Sequence, residues 1–166
     1  MCDGMHSGNV KHRCILMKCE VKPFEALSTK ELFEIYKLRS QVFVVEQNCV
    51  YQDVDDEDLS AFHVMATKAE DLVGYARLYK SHSEAKIGRV VIAQNSRSQG
   101  FGSELMKYCL MKCKEIFPAQ QVCISAQQYL LSFYNGLGFV AEGDGYLEDG
   151  IPHLRMVFNP KEKTLF

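Results

Sequence analysis

The stretch Arg97-Ser98-Gln99-Gly100-Phe101-Gly102 sets two glycines two residues apart behind an arginine, after the apolar run IGRVVI and before a segment with helical periodicity. Missing side chains at the start of a helix let backbone N–H groups approach an anion, and the helix dipole favours negative charge there. Arg97 adds a formal positive charge at the same place. The chemistry on offer is the holding of a phosphate or similar anion; the structural alternative is a tight turn that needs a left-handed backbone. The chain has neither the G-x-x-x-x-G-K-[ST] loop of nucleotide triphosphate sites nor the G-x-G-x-x-G of dinucleotide folds.

A loop of this kind needs a strand behind it and a helix in front, and the chain supplies both. AKIGRVVIA reads as a strand, apolar on both faces in its second half as a central strand would be. GFGSELMKYCLMKCKEIF reads as a helix with Leu105, Cys109, Cys113 and Ile116 on one face, ended by Pro118. Earlier, Ser28 and Glu31 have capping-box spacing between Leu27 and Leu32, so a helix starts there. Its apolar stripe runs through Leu32, Ile35, Tyr36, Val42 and Phe43, with Arg39 on the stripe and Glu46 on the same face. AFHVMATKAEDLVGYARLYKS predicts two strands around a turn, QVCISA a strand, QQYLLSFYNGLG a short helix closed by Gly136 or Gly138, and the remainder a strand, a long loop and a strand. A strand, helix, strand passage inside a mostly antiparallel order predicts an α+β fold with one parallel pair, a central mixed sheet flanked by helices.

At 166 residues the chain is about one domain, expected over 13–166 behind a mobile leader at 1–12. A formal net charge of −2 gives no bulk attraction to nucleic acid or an acidic membrane, so neither is an expected partner. Seven cysteines without any C-x-x-C pair make a poor zinc or disulfide framework; they suit reduced thiols, a cytoplasmic setting and no metal. No apolar stretch approaches the ~20 residues that span a bilayer, and the start lacks the apolar core of a signal peptide.

The R-x-x-G-x-G pattern between strand and helix resembles motif A of the Gcn5-related N-acetyltransferases, and FYNGLGF, Phe133 to Phe139, resembles the family's second aromatic motif on the next helix. The element order is similar across nearly the whole chain after residue 12. LRSQVFVVEQNCVYQDVDDEDL and EDGIPH further resemble the ElaA-type branch. The resemblance implies an acyl-CoA N-acyltransferase fold and transfer of an acetyl group from acetyl-CoA, through a ternary complex, to the amine of a small molecule or an exposed amino group. It implies that Val90, Val91 and Ile92 line the pantetheine arm, and that Arg97, Ser98, Gln99, Gly100, Phe101, Gly102 and Ser103 surround the pyrophosphate. Tyr134, which by itself reads as a core aromatic, would be the acid that protonates the departing thiolate.

On the acceptor side, an arginine on an apolar stripe has two readings. Arg39 pairs with one of Asp53, Asp55, Asp56 or Asp58, or it faces the acceptor cavity with Glu46 beside it as a base acting directly or through water. Arg77 and His153 are further candidates for acceptor contact, Arg89 lies on a strand like Arg77, and His63 reads as a structural histidine. The acidic run from Asp53 to Asp58 reads as a solvated loop. An acyl-homoserine-lactone synthase-like enzyme and a CoA-binding module without turnover remain as alternatives, and the protein is expected as a monomer or homodimer.

Overall fold

The computed structural model describes residues 16–159, so the expected leader at 1–12 lies outside the described residues. Strand β1 (Lys18–Pro23) leads to helix α1 (Thr29–Arg39). The Glu31 amide donates to Ser28 Oγ at 3.2 Å and the Ser28 amide to Glu31 Oε2 at 2.8 Å, the reciprocal cap expected from their spacing. Strands β2 (Phe62–Lys68), β3 (Asp71–Ser81) and β4 (Glu84–Ile92) follow as an antiparallel meander. Helix α2 (Phe101–Ile116) then crosses to β5 (Gln121–Gln127), which pairs with β4 in parallel. Helix α3 (Leu131–Gly136) and strands β6 (Phe139–Ala141), β7 (Tyr146–Glu148) and β8 (Ile151–Phe158) complete the described chain.

The eight strands among the described residues form one sheet in the order β1-β2-β3-β4-β5-β8-β6, with β7 also on β8. It is the mixed, mostly antiparallel sheet flanked by helices that the element order predicts. β7 is an addition to that reading: the segment taken as a long loop holds a short strand hairpinned on β8. Strand alternation splits the core between the two faces. Val64, Ala66, Ala76 and Leu78 pack with Leu105, Met106, Cys109 and Cys113 of α2, whereas Met65, Tyr75 and Val91 pack with Ile35 of α1. Among the described residues no helix is long and apolar enough to cross a membrane.

Candidate active site

β4 and β5 pair only at Glu84, Ala85 and Lys86 against Gln121, Val122 and Cys123, and diverge beyond that point. A bulge on β4 accompanies the divergence. Arg77 opposes Gly88 and Tyr75 opposes Val91, so Arg89 and Val90 together face the single residue Ala76, and Arg89 takes a left-handed φ of 51°. A non-glycine residue in that conformation costs of order 1–3 kcal/mol and persists only where its surroundings hold it.

The holding group is the run Asp53 to Asp58. Arg89 Nε lies 2.8 Å from Asp53 Oδ1, and its Nη2 donates to Asp55 Oδ2 at 3.1 Å. Arg77 on β3 donates to Asp58 Oδ1 at 2.8 Å and to Asp55 Oδ2 at 3.1 Å. Arg39 at the end of α1 donates from Nε to Asp53 Oδ2 at 2.9 Å, from Nη1 to Asp58 Oδ1 at 2.7 Å and from Nη2 to the Asp53 carbonyl at 2.7 Å. One loop thus ties three elements through three arginines. Burial alone would raise the Asp58 carboxyl; hydrogen bonds from Arg39 and Arg77 outweigh it and hold the group below the usual carboxylate value.

Two readings of the sequence are corrected here. In the acidic run Asp53 and Asp58 lie inside the protein and Asp55 is half-buried, the three carboxylates clamping the arginines, while of its acidic residues Asp56 and Glu57 alone keep the solvated position expected of the whole loop. Arg39 is wholly buried, with no exposed surface and its Nε, Nη1 and Nη2 engaged, and it does not line the cavity described next. The 3.6-residue periodicity that puts Arg39 and Glu46 on one face fails after Arg39. Ser40–Glu46 is a π-helix, with Gln47 N–H donating to Val42 and Cys49 N–H to Val44, each five residues back. The slower winding turns Glu46 away from the face of Arg39.

The wedge between β4 and β5 opens into a cavity of about 940 Å³. Val90, Val91 and Ile92 form one wall along the β4 edge, which among the described residues has no strand partner on the β5 side beyond Lys86. Arg97, Ser98, Gly100, Phe101, Gly102 and Ser103 line the end at α2, and Gly100 caps that helix at φ 82°. Among the described residues the Ser98, Gln99, Gly100, Phe101 and Gly102 amides donate to no backbone carbonyl, whereas the Ser103 amide is taken by the Gly100 carbonyl at 3.0 Å. The free donors therefore run from 98 to 102. A Cβ on Gly100 would meet nothing within 4 Å, so open space faces the loop. Gln99 does not line the cavity; its side chain is tied to Lys68 Nζ at 3.0 Å and to the Asn95 carbonyl at 3.2 Å.

The structure brings Glu46 and Arg97 together as an ion pair that the sequence does not suggest. Arg97 Nη2 donates to Glu46 Oε2 at 2.9 Å, Nη1 to Oε1, and Nε to the Ile92 carbonyl at 3.0 Å. Tyr134 lines the cavity between Phe133 and Phe139, with ring centroids 5.0 and 5.9 Å away, and its hydroxyl makes no hydrogen bond among the described residues. Burial above all pushes its phenol up to about 12, so it keeps its proton across the neutral range.

Arg77 and His153 also line the cavity. His153 Nδ1 lies 2.8 Å from the Ile151 carbonyl; a carbonyl only accepts, so that nitrogen holds the hydrogen. His63 is outside the cavity, its ring nitrogens engaged by Tyr75 Oη and the Asp58 carbonyl. Sequence reasoning missed Lys68, which stands beside the loop before α2, and Ser125, Tyr146 and Glu148 in the cavity wall. Only the period-two placement of Ser125 in QVCISA carried a signal for any of them.

A family profile described as an acetyltransferase (GNAT) domain matches residues 26–160. Protein ElaA of Escherichia coli is 41% identical over 135 residues, covering 78% of this chain and 88% of its own, and its crystal structure superposes with a TM-score of 0.81. A UPF0039 protein of Schizosaccharomyces pombe is 44% identical over 138 residues, 81% of this chain and 92% of that protein. The crystal structure of an acyl-CoA N-acyltransferase from Pseudomonas aeruginosa is 38% identical, with a TM-score of 0.82, over 87% of this chain and 100% of that one.

Proposed function

The chain belongs to the GNAT acetyltransferase family, in its ElaA-like branch, and from that premise we propose that it transfers the acetyl group of acetyl-CoA to a primary amine on a small molecule or an exposed amino group. One observation carries the assignment: five unpaired backbone amides, Ser98 to Gly102, meet at a helix N-terminus beside a strand edge without a partner. Amides so aimed fit a pyrophosphate, with Lys68 adding charge beside them. The β4 edge at Val90, Val91 and Ile92, which no described strand pairs on the β5 side, fits the amide-bearing pantetheine arm, which bonds as a strand does.

The thioester supplies the electrophilic carbon; a C–N bond forms there and the C–S bond breaks. Tyr134 is assigned to the sulfur. Full proton transfer from a phenol near 12 to a thiolate of ordinary pKa about 8.5 is uphill by roughly 5 kcal/mol. Its contribution is therefore a hydrogen bond that strengthens as charge collects on sulfur, with the proton following as far as the apolar cavity raises the thiol. Glu46 is proposed to fix Arg97 at the loop, since both its oxygens already accept from that guanidinium. Arg77 holds the wall through the clamp, and His153 borders the acceptor end.

Cys19, Cys49, Cys109, Cys113 and Cys123 are all free thiols, which supports a reducing, cytoplasmic setting. The test is release of free thiol from acetyl-CoA in the presence of an amine panel, with mass spectrometry of the acceptor. Stabilisation by S-adenosylmethionine and not by acetyl-CoA would favour the homoserine-lactone synthase chemistry instead, and binding without turnover the non-catalytic module.

A further inference from the structure

Helix α1 packs on one face of the sheet over β2 to β4, and the cavity continues beyond it to β5, β8 and β7. Ser125 on β5 and Tyr146 and Glu148 on β7 line the cavity there. They are joined in a chain of short hydrogen bonds: Ser125 Oγ is 2.6 Å from Glu148 Oε2 and 2.5 Å from Tyr146 Oη. The polarity of the chain follows from donor counting. A carboxylate only accepts, so the single Ser125 hydroxyl hydrogen goes to Glu148. Tyr146 must then donate to Ser125, which leaves the lone pairs of Tyr146 Oη for a donor arriving from the cavity. The His153 ring stacks on Tyr146 at 6.2 Å and 23°, and His153 is itself fixed by the Ile151 carbonyl. Glu148 has no ion-pair partner among the described residues, so its charge is available to a cation.

We propose that Tyr146, Ser125 and Glu148 form the proton relay that deprotonates the acceptor amine, which enters the cavity as its ammonium ion. The inference rests on the acyl-transfer reading above. An ammonium N–H donates to Tyr146 Oη; as that proton passes to the phenol oxygen, the phenol proton passes to Ser125 Oγ and the serine proton to Glu148 Oε2. The products are a neutral amine, whose lone pair can attack, and a protonated Glu148, which returns its proton to solvent from its exposed position. Nothing is oxidised or reduced, and each hydroxyl gives up one proton and takes up another, so Tyr146 and Ser125 end neutral with one hydrogen each. The Glu46 carboxylate, expected as the base, is engaged by Arg97; among the described residues the Glu148 carboxylate accepts from Ser125 and from no cation.

The test uses the full chain with acetyl-CoA and two probe amines of similar shape: benzylamine, protonated at neutral pH, and aniline, neutral there. Ser125→Ala cuts the relay and keeps the Glu148 charge; Glu148→Gln keeps an acceptor and removes the base. Each should lower the ratio of kcat/KM for benzylamine to that for aniline by about 10²-fold, the scale of general base catalysis. The double variant should be no worse than either single one, because the groups act as a unit. Ser125→Thr restores the hydroxyl and should recover most of the ratio. If both probes lose activity equally, or the two losses multiply, the relay is overturned and the cluster is only a structural part of the sheet face. Wild-type protein that transfers acetyl to neither probe, nor to any amine of a panel, would overturn the acyl-transfer reading itself, a result separate from failure of the relay.

Discussion

Replacing Arg39 by methionine keeps a side chain of comparable reach and removes the cation from the centre of the clamp. Three hydrogen bonds of 2.7 to 2.9 Å are lost, and two buried carboxylates lose a partner. Removing one partner from a buried ion pair costs about 3–5 kcal/mol. Asp58 keeps Arg77, and Asp53 keeps Arg89 and the Tyr51 hydroxyl at 2.8 Å, which sets the expectation at the lower end, about 3 kcal/mol. With a urea slope of about 2 kcal/mol/M, the unfolding midpoint should fall by roughly 1.5 M. The difference should narrow in acid. The folded-state pKa of Asp58 is depressed, so its contribution is present above the unfolded carboxylate value of about 3.9 and is lost as pH falls through the lower folded value. Equilibrium urea unfolding at neutral pH and at successively lower pH measures both effects. An unchanged midpoint, together with a raised KM for the acceptor, would refute the structural assignment and return Arg39 to the substrate side.

Gly100→Ala and Gly102→Ala should separate conformation from approach. Gly100 has φ 82°, so alanine there should cost about 1 kcal/mol in thermal unfolding, whereas a Cβ at Gly102 meets only ordinary contacts, 3.5 Å from Phe133, and should leave stability within about 0.5 kcal/mol of wild type while calorimetry reads a weaker CoA affinity. Tyr134→Phe keeps the ring packing, and single-turnover acetyl transfer should slow by about 10²-fold with CoA affinity little changed; an unaltered rate would remove the phenol from the mechanism. The same phenol should resist ionisation until near pH 12 in an absorbance titration; because the unfolded chain loses that proton near 10, stability should fall as pH rises through this window. Burial pushes the Cys109 and Cys113 thiols up, so both should resist alkylation in native protein that modifies the partly exposed Cys49, as read by peptide mass spectrometry.

Local rules made much of this fold legible. The capping box at Ser28, the stripe through Leu105, Cys109 and Cys113, and the glycines at the start of α2 each report on neighbours a few residues away, and each stands where its pattern predicts. What pattern could not give was the departure from regular winding. The π-turns after Arg39 and the bulge at Arg89 both leave the apolar periodicity intact while moving Glu46 and opening β4 from β5. The apolar half of β4 reads as a central strand and β4 is central in the sheet, but the pattern does not show that this half also borders the cavity where β5 diverges. Partnerships distant in sequence were equally hidden: Glu46 meets Arg97 across 51 positions, and Ser125 meets Glu148 across a hairpin that read as a loop.

The most direct test of the account follows the backbone amide resonances of the protein during titration with acetyl-CoA. Ser98, Gln99, Gly100, Phe101 and Gly102 should shift together and saturably, as donors that gain acceptors, with Val90 to Ile92 moving in the same phase and Asp53 and Asp58 left in place. Binding that leaves those five amides unmoved, or moves only residues outside the β4 to α2 junction, would contradict the assignment of this site to the acyl donor.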